Sequence, residues 1–122
     1  MAGTLGLIHS NLGYLLFLVV IVAVVAAFRQ DAAKPPVTRL SSITMILLDI
    51  HVTIGLVYYF VGGWWTAALT KSVAHPVLAL GALAFGHIGL SKARRNDSSR
   101  DAAAGLLRAL LLVTLAIGVV SI

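Results

Sequence analysis

The sequence predicts an all-α fold: a four-helix transmembrane bundle in up-down-up-down order, with both termini on the outer, non-cytoplasmic side. Three observations predict it. Of 122 residues, 60% are hydrophobic and 11% charged, which lies outside the range of soluble domains and places the chain in the membrane class. The apolar residues fall into four runs. A hydrocarbon core about 30 Å thick needs roughly 20 helical residues per crossing, so four spans with short connections account for the whole length as one domain. The charges, finally, gather in loops beside the apolar runs, where they can set orientation.

Span one covers about 5–28 and ends at Arg29-Gln30-Asp31. It lacks a basic leader and a small-residue cleavage site, so it reads as a retained span and not a signal peptide. The loop from Arg29 to Arg39 holds Lys34 and Pro35-Pro36, a pair that prevents helix continuation. Span two covers about 40–61, with Ser41 or Ser42 as the expected cap and Gly62-Gly63 beyond its end. The following connection carries Trp64 and Trp65, whose rings favour the headgroup interface. Span three covers about 74–90, with Pro76 in its first turn, where a missing N–H costs little. Ser91 to Asp101 reads as a second basic loop, and span four covers about 102–122.

Orientation follows from the cations. Only Lys71 lies on the side shared by the termini and the Gly62–Val73 loop. Arg29, Lys34, Arg39, Lys92, Arg94, Arg95, Arg100 and Arg108 lie on the other. The positive-inside rule makes that second side cytoplasmic, and the expected location is the bacterial inner membrane. The net charge of +5 is explained by topogenic loops and anionic headgroups, so no nucleic-acid partner is expected. Without cysteine there is no disulfide, no thiolate-held iron–sulfur cluster and no covalent haem attachment.

Against this apolar background stand four histidines, His9, His51, His75 and His87. An imidazole within a membrane span needs a partner, which makes each a functional candidate. At about 1.5 Å of rise per residue, His9 and His75 fall near the outer face at matching depth, His51 near the middle of span two, and His87 about 18 Å below His75. Below His75, helical spacing lines up Ala79, Ala82, Gly86 and Gly89. Such a row is either a flat wall for a porphyrin or a close helix–helix seam. Gly6 and Gly13 lie on the side of His9, and Gly55 follows His51 by one turn. His75 and His87 differ by about 120° around the helix and do not share a face. The residues therefore mark one haem site through His9 and His75, with Gly13, Ala79, Ala82 and Gly86 around it. A second site through His51 and His87 is conditional on helix tilt.

Asp49 is the other costly residue. Two positions from His51, it points to the opposite face. It is either a proton relay, a quinone contact or an orienting partner for an imidazole such as His87, or a carboxyl bonded to nearby hydroxyls or another subunit. Tyr58, Tyr59, Trp64 and Trp65 form an aromatic cluster read as an interface belt, with a quinone or electron-transfer role as the other option. Lys71, Thr66 and Thr70 are the outer-side candidates for haem propionates.

His9-Ser10-x-Leu12, His51-x-x-x-Gly55-Leu56-x-Tyr58, and His75-Pro76 leading into an Ala-rich span that ends Gly89-x-x-Lys92-Ala93-Arg94 resemble the small bacterial four-span "cytochrome B" proteins. The resemblance runs through short scattered motifs over nearly the whole chain. It implies non-covalent haem b, held by the histidines matching His9 and His75, and electron transfer. Where His51 stands the family pattern carries a Gln, and it has no consistent counterpart of His87, so it marks the outer pair as ligands.

The expected function is that of a b-type cytochrome-like subunit carrying electrons through bis-histidine haem. Closed ligation leaves no open iron position, so the chain is not expected to be an enzyme by itself. Expected partners are membrane lipid, other subunits of a respiratory or photosynthetic complex, and quinone. The alternative is a haem-free or pigment-contacting accessory subunit of such a complex. A third reading, a small transporter using Asp49 and a histidine as a proton path, lacks the internal repeat such proteins carry.

Overall fold

The computed structural model describes residues 2–30 and 35–120; Asp31 and Lys34 of the first basic loop, and 121–122 at the end of span four, lie outside them. Four long helices account for nearly all of it: α1 (Ala2–Phe28), α2 (Arg39–Val61), α3 (His75–Asn96) and α4 (Ser99–Val120). All four are long and apolar enough to cross a membrane.

α1 is rich in β-branched residues around Val19 to Val25, which are only moderate helix formers in water. In a hydrocarbon solvent the backbone has no other partner for its N–H and C=O groups, and the helix is the structure that satisfies them. Its apolar residues cover every side, as a lipid-facing helix requires. Large side chains point outward: Leu7, Leu18, Phe28, Ile46, Phe60, Val77 and Leu115 are all exposed. Half of the buried apolar residues are alanines, Ala23, Ala27, Ala82, Ala93, Ala102, Ala103, Ala109 and Ala116, packed with Leu16, Val20, Met45, Leu48 and Leu106. This size order suits lipid, where helices associate by close van der Waals packing.

Each helix packs against two others, giving the ring α1–α2–α3–α4–α1. The α3–α4 seam is the tightest. A Cβ on Gly89 would lie 2.4 Å from the Gly105 Cα, so at this crossing the two backbones touch and only glycine fits. Gly86 receives the Met45 side chain of α2 and approaches Ala109 of α4.

Several boundaries differ from the sequence expectation. The cap of α2 is Thr38, whose Oγ1 accepts from the Ser41 N–H at 3.2 Å, and not Ser41 or Ser42. α3 does not stop at Leu90 but continues through Lys92, Arg94 and Arg95 to Asn96. Long basic side chains can leave the bilayer from a helix that continues past it, and cations suit a helix C-terminus. The second basic loop thus shrinks to a turn at Asp97 and Ser98, with Asp97 in the left-handed conformation and Asp101 in the first turn of α4.

Upstream, a 3-10 turn (Trp64–Thr66) and a π turn (Thr70–Ala74) connect α2 to α3. Because the π turn runs directly into α3, Pro76 is not at a free helix start. It has no N–H to return to the Ser72 carbonyl. The Tyr59 hydroxyl donates to that carbonyl instead, at 2.9 Å. The loop is thereby tied to α2, and His75 is set at the junction.

Candidate functional site

Three helices bring their histidines to the end of the bundle where α2 and α3 are joined. α1 supplies His9, α2 supplies His51, and the start of α3 supplies His75. The His9 and His51 rings stack with centroids 4.3 Å apart and planes 4° from parallel. The His75 ring stands edge-on to His9 at 6.0 Å, with an interplanar angle of 84°.

A repeated local pattern places the stacked pair. His9 is followed by Gly13 and His51 by Gly55, one helical turn on and on the same face. Each imidazole lies on the glycine of the other helix. A Cβ at Gly55 would meet His9 Cε1 at 2.6 Å, and one at Gly13 would meet His51 Cε1 at 3.3 Å. These reciprocal contacts, 9 with 55 and 51 with 13, fix α1 and α2 as antiparallel neighbours in this register. Tyr58 closes the next position, its hydroxyl lying over Gly6.

His75 is held differently. Its Nδ1 lies 2.8 Å from the Ala116 carbonyl of α4. A carbonyl oxygen only accepts, so Nδ1 donates, and in the neutral ring the lone pair is then on Nε2. His9 Nδ1 and His51 Nδ1 are buried with no hydrogen-bond partner, and so is Trp64 Nε1. A buried polar atom without a partner is costly.

Beside the three rings lies a cavity of about 330 Å³, lined by the three histidines, Gly13, Gly55, Ala79, Val113 and Ala116, with Tyr58, Trp64 and Lys71 also on its wall. Its size is at the lower end of small-molecule sites, ~300–1,000 Å³. Trp64 packs edge-on against Tyr58 at 5.4 Å, and Lys71 Nζ lies 5.9 Å from the Trp64 ring centroid.

The structure corrects two site expectations. Of the row below His75, Ala79 lines the cavity, but Ala82 is fully buried in the core and Gly86 is filled by Met45. The lower part of the row is a packing seam. His51 and His87 are not brought together either: His51 joins the other two histidines, while His87 Nε2 bonds the Asp49 carboxylate at 2.8 and 3.1 Å. Depth counted along each helix separately had put His51 deeper than His9, but the antiparallel register sets them within one turn. The Asp49–His87 pair sits on the outside of the α2–α3 seam, with side chains 42% and 54% exposed. The Thr53 hydroxyl bonds the Asp49 backbone carbonyl and leaves the carboxylate to His87.

Sequence reasoning missed the Ala116 carbonyl, since a backbone acceptor has no sequence signature. It took Gly13 and Gly55 as neighbours of their own histidines and not as seats for the opposite ones. The doubled His-x-x-x-Gly spacing was the available signal. Among the described residues, no group of three or more His, Cys, Asp or Glu side chains is disposed to hold a bare metal ion. Comparison with known proteins finds no matching family, no matching curated protein and no matching solved structure.

Proposed function

We propose that the chain is a b-type cytochrome-like electron carrier, with four spans in up-down-up-down order, both termini outward, and its haem in the outer half of a bacterial inner membrane. The observation that supports it is the convergence of three imidazoles on one cavity, one of them oriented by a backbone carbonyl. Metal-ligating histidines commonly donate their second ring N–H to a carbonyl or carboxylate, which fixes the tautomer and raises ligand basicity. His75 with Ala116 has this arrangement.

The residues fit the group. His75 would hold the group through Nε2, and His9, 6.0 Å away and perpendicular in plane, would be the second imidazole to hold it. His51, stacked on His9, restricts rotation of that ring and is the reserve ligand. Ala79, Val113 and Ala116 provide a small-residue and apolar wall against which a flat ring system can lie. Haem iron, when bound, supplies one-electron transfer between its ferric and ferrous states. The protein's part is to hold two imidazoles at a set spacing, so that little rearrangement accompanies a change of charge. Membrane quinol and a neighbouring subunit are the proposed exchange partners.

The test is the absorption spectrum of purified protein before and after dithionite. A narrow α-band from low-spin haem is expected, and His75→Ala abolishes it while the helical circular dichroism is kept. An intact protein with no such band, or an unchanged band in the variant, overturns the assignment.

A second reading is favoured by the Asp49–His87 pair, which lipid cannot solvate. It is that of a haem-free or pigment-contacting accessory subunit, covered on its α2–α3 face by another membrane protein. In that case the chain runs in mild detergent as a larger complex without a haem band, and Asp49→Asn, leaving His87 without its acceptor, releases it. A monomer of unaltered size in both forms rejects this reading.

A further inference from the structure

Asp49 lies well inside α2, which ends at Val61, and His87 well inside α3, which begins at His75. At about 1.5 Å of rise per residue both sit ~18 Å from the connecting turns, near the middle of a hydrocarbon core about 30 Å thick. Neither lines the histidine cavity; the pair is half-exposed on the outside of the bundle. His87 Nε2 faces both carboxylate oxygens, and among the described residues the other ring nitrogen, Nδ1, bonds nothing. Ionisable groups at such depth face a bundle interior or meet further polar groups, because lipid offers them no hydrogen bonds. One bond between the two does not exhaust them. In its charged form the imidazole has an N–H on each nitrogen, and the carboxylate keeps lone pairs to spare.

This face is self-complementary, with a donor and an acceptor side by side at one depth. A two-fold axis along the membrane normal returns every residue at its own depth, and so sets pair against pair. We infer that two copies of the chain associate through their α2–α3 faces about such an axis, each His87 bonding the Asp49 of the other copy. The four groups then close a ring of hydrogen bonds, with two positive and two negative charges and no net charge facing lipid. A different protein would have to carry a matching pair at the same depth, whereas a second copy carries one by symmetry. The surrounding surface suits a close contact. Ala84 and Ser91, one turn to either side of His87, are exposed and small, which lets a second helix approach. The inference is independent of the haem reading, and it names a different cover for this face than the second reading does.

The chain has no cysteine, so a single introduced thiol reports its distance to the same position in a second copy. Ala84→Cys and, as a control, Leu115→Cys on the exposed side of α4 are reconstituted in phosphatidylcholine vesicles and oxidised with copper phenanthroline. Covalent dimer is expected to form from Ala84→Cys at least about tenfold faster than from Leu115→Cys. Adding Asp49→Leu together with His87→Leu, which leaves no polar group unpaired, is expected to slow it by about tenfold, as for two lost interhelical hydrogen bonds. Equal rates from the two thiols, or a folded leucine variant that cross-links like its parent, overturn the inference. So does a chain that stays single in vesicles and enters a larger complex only with another protein from native membranes, the result the second reading expects. If the leucine variant loses its helical circular dichroism, complementation decides. Copies with Asp49→His and copies with His87→Asp, each carrying Ala84→Cys and tags of different size, are expected to cross-link with each other and not with themselves. Cross-linking among like copies at the rate of the mixed pair rejects the inference.

Discussion

A missing methyl group determines where the imidazoles lie. His9 sits on Gly55 and His51 on Gly13, but the two seats are not equally tight: an added Cβ would be 2.6 Å from the first ring and 3.3 Å from the second. Gly55→Ala therefore has to displace His9, whereas Gly13→Ala asks its ring to give by a few tenths of an ångström. Overpacking of the first kind typically costs about 1–3 kcal/mol. Gly55→Ala is expected to lower the haem-to-protein absorbance ratio well below that of Gly13→Ala, measured on protein purified in parallel. Equal ratios would show that the seats do not control the site. These residues illustrate what one sequence carries: the doubled spacing was visible, but which glycine receives which ring depends on the helix register.

At the scale of an element, the start of α3 is an exchange of hydrogen bonds. Pro76 deprives the Ser72 carbonyl of its helical donor, and Tyr59 supplies another at 2.9 Å. Tyr59→Phe is expected to destabilise the fold by about 1 kcal/mol, as for a typical lost hydrogen bond. Pro76→Ala returns an N–H that can reach Ser72, so Tyr59→Phe is expected to cost less in that background. A thermal double-mutant cycle in detergent measures the coupling, and strict additivity would reject the exchange. Pro76 was legible as a residue near a helix start. The π turn before it was not, because the residues from Thr70 to Ala74 bear no periodic signal distinguishing five-residue hydrogen-bond steps from four. The basic end of α3 was misjudged for a related reason: hydropathy reports where a helix leaves lipid, and a helix can continue beyond that point.

For the whole molecule, large apolar side chains cover the outside and alanines make up half of the buried apolar residues among those described, while the sequence assigns eight of the nine Lys and Arg to the side it predicts as cytoplasmic. A reporter active only outside the cytoplasm is expected to be active when fused at the C-terminus or inserted at Gly63, and silent when inserted at Ser98. The reverse pattern would overturn the proposed orientation. Composition and run length alone determined that the chain forms four helices long and apolar enough to cross a membrane, because a bilayer admits few ways to satisfy a backbone and makes each such run conspicuous. They also singled out the histidines, since an imidazole in such a helix stands out without any structure. Only the tertiary structure decided their grouping: His51 with His9 and His75, His87 with Asp49. Depth and phase along one helix do not contain the register between two, and that register is set by where glycines let backbones or rings come close.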